Sequence, residues 1–352
     1  MRRRILAALL SCALSVAALV AYRSGDGPVR SAQTEAAVAL PITRATAPPT
    51  TLPPTTEAPT TTAPPPATTT TAPPAPPVTA AAVPVRDLSV YSGLGTWIDV
   101  YDWSTAFNRG TELVGLDDID RMAASGIQTL YVQTGKWDAP TDVLEPERLL
   151  PLIKRAKDRG MSVVAWYLPT FVDPQTDMGR IMAASRLPGV DGLAVDIESL
   201  KFKDVAERNR RLLLISTNLR AALPGVALAA IPYPPVATEV INPKLWPNFP
   251  WAKLAPLYDV WMPMSYQTDR KPESGYRDAY RYTAENIDRM RARLRRPDMP
   301  VHTIAGIADR MSPADVTAML RAAVERHAIG GSIYDWRTTG ADLLPALQGF
   351  RR

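Results

Sequence analysis

Between Ala45 and Pro84, 26 of 40 residues are proline or threonine, and that tract decides which part of the chain can fold. A segment with almost no large apolar side chains cannot offset the entropy of ordering itself. All eight tryptophans lie after Pro84. The sequence therefore divides into a Pro/Thr-rich linker over 23–84, expected to be disordered and partly polyproline II, and a folding unit over 85–352. That unit is long enough for one large core. At ~3.1 Å per residue, an extended linker of this kind is a stalk with a reach on the order of 100 Å.

Ahead of the linker, Arg2, Arg3 and Arg4 precede eighteen uncharged residues, Ile5 to Tyr22. A basic head followed by an apolar span directs a chain to a membrane translocon. The span over 1–22 reads as a signal peptide or, since its length is near that needed to cross a bilayer, as a signal anchor with the arginines held inside. The expected location is extracellular or in the cell envelope, with a membrane contact through this segment if it is uncleaved. Cys12, within the span, is the sole cysteine, so the folding unit carries no disulfide and relies on the size of its core.

The formal net charge of +5 is misleading as a clue to partners. Six arginines and three acids fall before Val85, which leaves the folding unit nearly neutral. Nucleic acid is therefore not an expected partner, since a phosphate-binding domain needs clustered positive charge. The basic run Arg291 to Arg296 fits the last turn of an exposed helix, where cations complement the dipole.

After Pro84, short β-branched or aromatic runs alternate with helical patterns. Strands are expected at 95–100, 129–133, 162–168, 192–197, 227–231, 260–265, 302–307 and 331–334. Helices are expected at 149–159, 205–222, 280–295 and 312–327, with Gly160 and Gly330 as helix-ending glycines. Eight strands interleaved with helices predict an α/β fold, a (β/α)8 TIM barrel, with its site at the C-terminal ends of the strands. A doubly wound sheet is disfavoured, because no glycine-rich phosphate turn follows the first strand.

The stretch Asp191-Gly192-Leu193-Ala194-Val195-Asp196-Ile197-Glu198 carries the chemistry. Strand alternation places Ala194, Asp196 and Glu198 on one face and Leu193, Val195 and Ile197 on the other, and only the apolar set can pack beneath helices. Two acids crowded in a barrel mouth push a pKa upward, as a general acid working near neutrality requires. Glu198, nearer the rim, is the expected proton donor and Asp196 its partner. A structural salt-bridged cap or a metal site are the alternatives. Aromatic residues at or beyond strand ends, Trp137, Trp166, Tyr167, Tyr233 and Trp336, are candidate sugar-stacking surfaces, with Gln133 at the end of the second strand as a polar contact. Trp246 and Trp251 are candidate cleft walls or lids. His302 and His327 are too few and too isolated for a metal site or relay; no cofactor and no metal are expected.

The fourth-strand pattern resembles the D-G-x-D-x-D-x-E motif of family 18 glycoside hydrolases, the chitinase-like barrels. It matches at Asp191, Gly192, Asp196 and Glu198 and departs at Ala194. Met264-Ser265-Tyr266 resembles that family's M-x-Y motif, with Gln267 in the next position, and Trp336 resembles its last-strand tryptophan. The resemblance implies hydrolysis with substrate assistance: Glu198 protonates the glycosidic oxygen, the sugar's acetamido carbonyl attacks, Asp196 stabilises the developing charge, and Tyr266 holds the acetamido oxygen. Without a carboxylate at 194, Asp196 is expected to be more firmly ionised, which bears on turnover. The opening Thr96 to Trp103 also resembles family 25 lysozyme-like barrels, which brings Asp99 into the candidate site. Both resemblances imply N-acetylated amino-sugar glycans, peptidoglycan or chitin-like, as partner, for a monomeric exported glycosidase. A catalytically weak barrel that binds wall glycan is the competing expectation.

Overall fold

The computed structural model describes residues 85–352, so the expectations for 1–22 and 23–84 lie outside the described residues. Among the described residues no helix is long and apolar enough to cross a membrane. Nine parallel strand segments form one sheet: β1 Gly93–Ile98, β2 Thr129–Gln133, β3 Ser162–Tyr167, β4 Gly192–Ile197, β5 Leu228–Pro232, β6 Val260–Trp261, β7 Met264–Ser265, β8 His302–Gly306 and β9 Gly330–Tyr334. Their order is β6-β5-β4-β3-β2-β1-β9-β8-β7. The two ends of that order are consecutive in sequence, separated only by Met262-Pro263. Proline has no N–H for a ladder, so it splits what is one stave. Trp261 bridges to Val301 beside β8, while Met264 and Ser265 pair with Ile304 and Ala305. The sheet thus closes as an eight-stave TIM barrel.

Helices return each strand to the next in the expected places. Val205–Ala222 begins at Asp204, whose carboxylate accepts Glu207 N at 3.0 Å. Pro313–Glu325 starts with a capping box between Ser312 and Asp315. Pro146–Asp158 is followed by Gly160 at φ +79°, the left-handed conformation that glycine adopts without a Cβ penalty. Gly330 is a correction: it does not end a helix but opens β9. His327 takes the left-handed position at φ 50°, and a Cβ at 330 would come within 2.6 Å of His302 Nδ1. The basic run lies at the end of Ala279–Leu294, as expected, with Arg291 and Arg293 in its last turn.

Two apolar layers follow from strand parity. Ile98, Leu130, Val132, Val163, Leu193, Val195 and Ile197 pack outward under the helices. Trp97, Tyr131, Val164, Trp166, Ala194, Ala229, Ile231, Met262, Met264 and Ile304 fill the barrel interior. Trp246 and Trp251 are buried in the outer layer, at 1% and 8% exposure, and are neither lid nor cleft wall. The proline-rich loop folds its aromatic residues inward because the area is too large to leave in water: Trp246 packs on Phe171 and Phe249, and Trp251 on Trp261.

Candidate active site

At the base of the barrel the polar groups are closed on themselves. Tyr91 donates to Leu193 O at 2.7 Å and lies 2.8 Å from Ala227 O. A Cβ on Gly192 would approach the Tyr91 hydroxyl to 2.7 Å, so the motif glycine leaves room for this plug. His302 Nδ1 is 2.8 Å from Tyr91 O and its Nε2 is 2.9 Å from Ser332 Oγ. Burial lowers the His302 pKa to about 4, so it is neutral and structural.

One layer up, Trp166 lies beside Ala194 in register, and Ala194 beside Ala229. Two small side chains on neighbouring strands leave space for the Trp166 indole, which meets Trp97 edge-on at 6.0 Å. This packing gives a physical reason for alanine at 194. The inward faces of Trp97 and Tyr131 stack at 4.2 Å and close the interior below.

Above that floor, Asp196 lies opposite Ile231 one residue before the end of β4, and Glu198 follows the strand into the mouth. Asp196 is 7% exposed, and among the described residues its Oδ1 has no hydrogen-bond partner. Burial, then the neighbouring Glu198, holds its pKa well above the usual carboxylate range. Alanine at 194 spares Asp196 a second like charge, but burial without a hydrogen-bond donor acts in the opposite direction and dominates. Burial also pushes Glu198 up to about 7. Tyr233, after β5, feels both acids and Arg208, and its phenol is held well above normal by burial first.

Across the barrel interior, Tyr266 and Tyr334 lie 6.3 Å apart. Tyr334 donates to Asp99 Oδ2 at 2.7 Å. Asp99 caps the short helix Val100–Trp103 through Tyr101 N, and its own N–H donates to Asp102 Oδ2 at 2.8 Å. Asp99, Asp102 and Asp335 place one oxygen each within 4.8 Å of one another. Such a trio has the donor set of a hard divalent cation site, but its oxygens also accept from Tyr101, Tyr334, Asp99 N and Thr338. Burial raises all three pKa values, that of Asp335 to about 6.

The remaining candidates divide. Trp137 stands on the rim at 45% exposure. Gln133 faces inward, but its Oε1 accepts Val100 N at 3.1 Å. Tyr167 points outward into the helix layer and donates to Asp177 Oδ1 at 2.8 Å, which removes it from the mouth. Parity explains this: it is the neighbour of inward-facing Trp166. Gln267 is fully buried with neither amide atom partnered among the described residues, one position beyond inward-facing Tyr266. Trp336 packs on the outer layer, its indole N–H 3.3 Å from Asp118 Oδ1; Tyr334, two residues earlier, supplies the ring that faces the interior. Sequence reasoning missed Tyr334, Asp102 and Asp335, although alternation along 330–334 makes Tyr334 inward, and the three-residue spacing of Asp99 and Asp102 is a capping signal.

A closed eight-stave barrel with two acids leaving its fourth strand is a TIM barrel whose candidate site lies at the C-terminal ends of the strands. No protein-family model and no curated protein matches the sequence. Among solved structures, the chain is similar to a family 18 chitinase from Cycas revoluta in complex with (GlcNAc)4. The identity is 13%, the TM-score is 0.54, and 73% of this chain and 99% of that one are covered. A class V chitinase from Pseudomonas fluorescens Pf-5 matches at 9% identity and a TM-score of 0.51, over 73% and 99% of the two chains. An endo-β-1,4-mannanase from Thermotoga petrophila matches at 11% and 0.51, over 69% and 68%. The chain shares the chitinase-like TIM-barrel fold.

Proposed function

We propose that this chain is a glycoside hydrolase acting on N-acetylated amino-sugar glycans, with Glu198 as general acid. The observation that carries the reading is the Asp196–Glu198 pair, with burial pushing Glu198 to about 7 at the C-terminal end of β4. Such a group is still protonated at neutrality and can give up its proton without a large penalty. The complex of the Cycas revoluta chitinase with (GlcNAc)4 supports an amino-sugar ligand for a barrel of this shape.

In the proposed reaction Glu198 donates its proton to the glycosidic oxygen while the substrate's own acetamido oxygen bonds the anomeric carbon, and the C–O bond to the leaving sugar breaks. Water then attacks the anomeric carbon of the resulting oxazolinium, its bond to the acetamido oxygen breaks to restore the acetamido group, and the water's proton passes to the Glu198 carboxylate, restoring the acid. Asp196, whose pKa burial holds well above the usual carboxylate range, would hydrogen-bond the acetamido group as positive charge develops nearby. Tyr266 and Tyr233, from the stave formed by β6 and β7 and from the segment after β5, would orient the acetamido group. The basic head and apolar span over 1–22 support export of this activity to the cell envelope.

The competing reading, a barrel that binds glycan without cleaving it, is favoured by Ala194 and by the unpartnered Asp196 Oδ1. Incubating the full-length protein and its Glu198→Gln variant with chitopentaose and with peptidoglycan strands separates the two. A hydrolase releases reducing ends only as wild type and binds in both forms; absence of product from wild type with retained binding leaves the binding reading.

A further inference from the structure

We infer that the rim of the mouth carries a cationic aromatic platform that selects glycans bearing carboxylate groups over neutral ones, an inference that rests on the amino-sugar reading above and narrows its substrate class. The platform is built from the loops after β1, β2 and β4. Trp137, after β2, is the most exposed aromatic side chain among the described residues, at 45%. A large flat ring left in water at a barrel mouth is a stacking surface for a sugar ring. Two ammonium groups attend it. Lys201, three residues beyond Glu198, places Nζ over the Trp137 ring, and Lys136 Nζ lies 5.2 Å from its centroid. Lys136 also reaches to 4.7 Å from the Phe107 ring. Phe107 meets Tyr101 edge-on, and Arg109 covers Tyr101 at 4.5 Å.

Three cations therefore interleave with three aromatic rings along one rim. The carboxylate of Asp138 pairs with Lys136, which leaves a net charge of two positive at this patch although the folding unit as a whole is nearly neutral. Lys201 and Arg109 have no ion-pair partner among the described residues, and both are exposed. The contact of Lys201 with Trp137 ties the loop that carries Glu198 to the ring. A pyranose on Trp137 would share the ring with the Lys201 ammonium over its face, with Lys136 also near. An acidic substituent, such as the lactyl carboxylate of muramic acid, would meet them there; a neutral chitin chain offers only hydroxyl and acetamido groups.

The test uses the full-length protein carrying Glu198→Gln, so that binding is read without turnover. Its probes are chitopentaose and a pentasaccharide of alternating N-acetylglucosamine and N-acetylmuramic acid, titrated calorimetrically at low and high salt. The muramic strand is expected to bind about tenfold more tightly at low salt, with the gap closing as salt is raised, because exposed charges are screened. Lys136→Gln combined with Lys201→Gln is expected to abolish the gap, with the muramic strand losing more affinity than chitopentaose. Trp137→Ala is expected to weaken both ligands by about tenfold. Equal affinity of the two strands, a gap that survives the double lysine variant, binding indifferent to Trp137→Ala, or no binding of either strand would each overturn the inference. A wild-type protein that releases no product yet keeps the salt-sensitive gap supports the platform while defeating the hydrolase reading, so the two failures are distinct.

Discussion

The two ends of this barrel hold titratable groups at similar depth and treat them oppositely. At the base, His302 is enclosed by Tyr91 O, Ser332 Oγ and Tyr131. At the mouth, Asp196 is enclosed with an oxygen left unpartnered and a second acid beside it. A buried polar group with its hydrogen bonds made is inexpensive and fixes the structure; one without them costs free energy that packing elsewhere must offset. The same contrast holds for tryptophan. Trp97 donates its indole N–H to Ser332 Oγ at 2.8 Å, whereas Trp166, one strand beyond Tyr131, has an N–H without a partner among the described residues. Asp196 Oδ1 and Trp166 Nε1 share this state with buried groups elsewhere, Trp261 Nε1 and Tyr282 Oη among them, but they are the two that lie beside the candidate acids.

The largest effect that would test this contrast is on catalysis. Glu198→Gln is expected to lower hydrolysis by about 10²- to 10⁴-fold with glycan affinity retained, read from product release and calorimetry in parallel; an unaffected rate would remove Glu198 from the chemistry. At the base, His302→Leu is expected to cost about 3 kcal/mol in denaturant unfolding, because it strands Tyr91 O and Ser332 Oγ in the interior. A loss under 1 kcal/mol would mean that the base network is not structural.

The pH dependence sets the two ends against each other. Glu198 is raised from 4.5 to about 7 on folding, so the folded state holds the proton more tightly. The associated stability is present below about 4.5 and is lost as pH rises through 7, by on the order of 2 kcal/mol with its partial exposure allowed for. His302 is lowered from 6.5 to about 4, so its contribution is present above 6.5 and is lost as pH falls towards 4. The two slopes oppose each other. Unfolding midpoints measured from pH 4 to 8 should show Glu198→Gln more stable than wild type at pH 8 and little changed at pH 4; identical profiles would contradict the burial of this carboxyl. The smallest effect is on the indoles. Trp166→Phe should change stability by less than about 1 kcal/mol, since it deletes an unpaired donor, while Trp97→Phe should cost about 2 kcal/mol by removing one of the two buried partners of Ser332 Oγ. Equal costs would erase the distinction.

Much of this was legible in the chain. The alternation of Leu193, Val195 and Ile197 with Ala194 and Asp196 already separated helix-facing from barrel-facing positions, and the eight staves fall within a few residues of their expected places. Parity already assigns Tyr167, the neighbour of inward-facing Trp166, to the helix layer away from the mouth, whereas Gln267 lies in a short 3-10 turn beyond β7, where strand alternation no longer applies. Trp246 and Trp251 were misplaced for another reason. A loop position does not imply exposure when the loop carries enough aromatic area to bury itself.

By itself the sequence determined the periodicities, and with them the barrel, the strand that presents the acids, and the face on which they lie, because local sterics and apolar burial act through spacing alone. Whether a given acid keeps its proton, and which rings and cations meet at the rim, was decided only when the barrel closed. Those properties depend on what distant strands bring near: Tyr334 to Asp99, Lys201 to Trp137, and to Asp196 the bulk that excludes water without supplying a hydrogen bond.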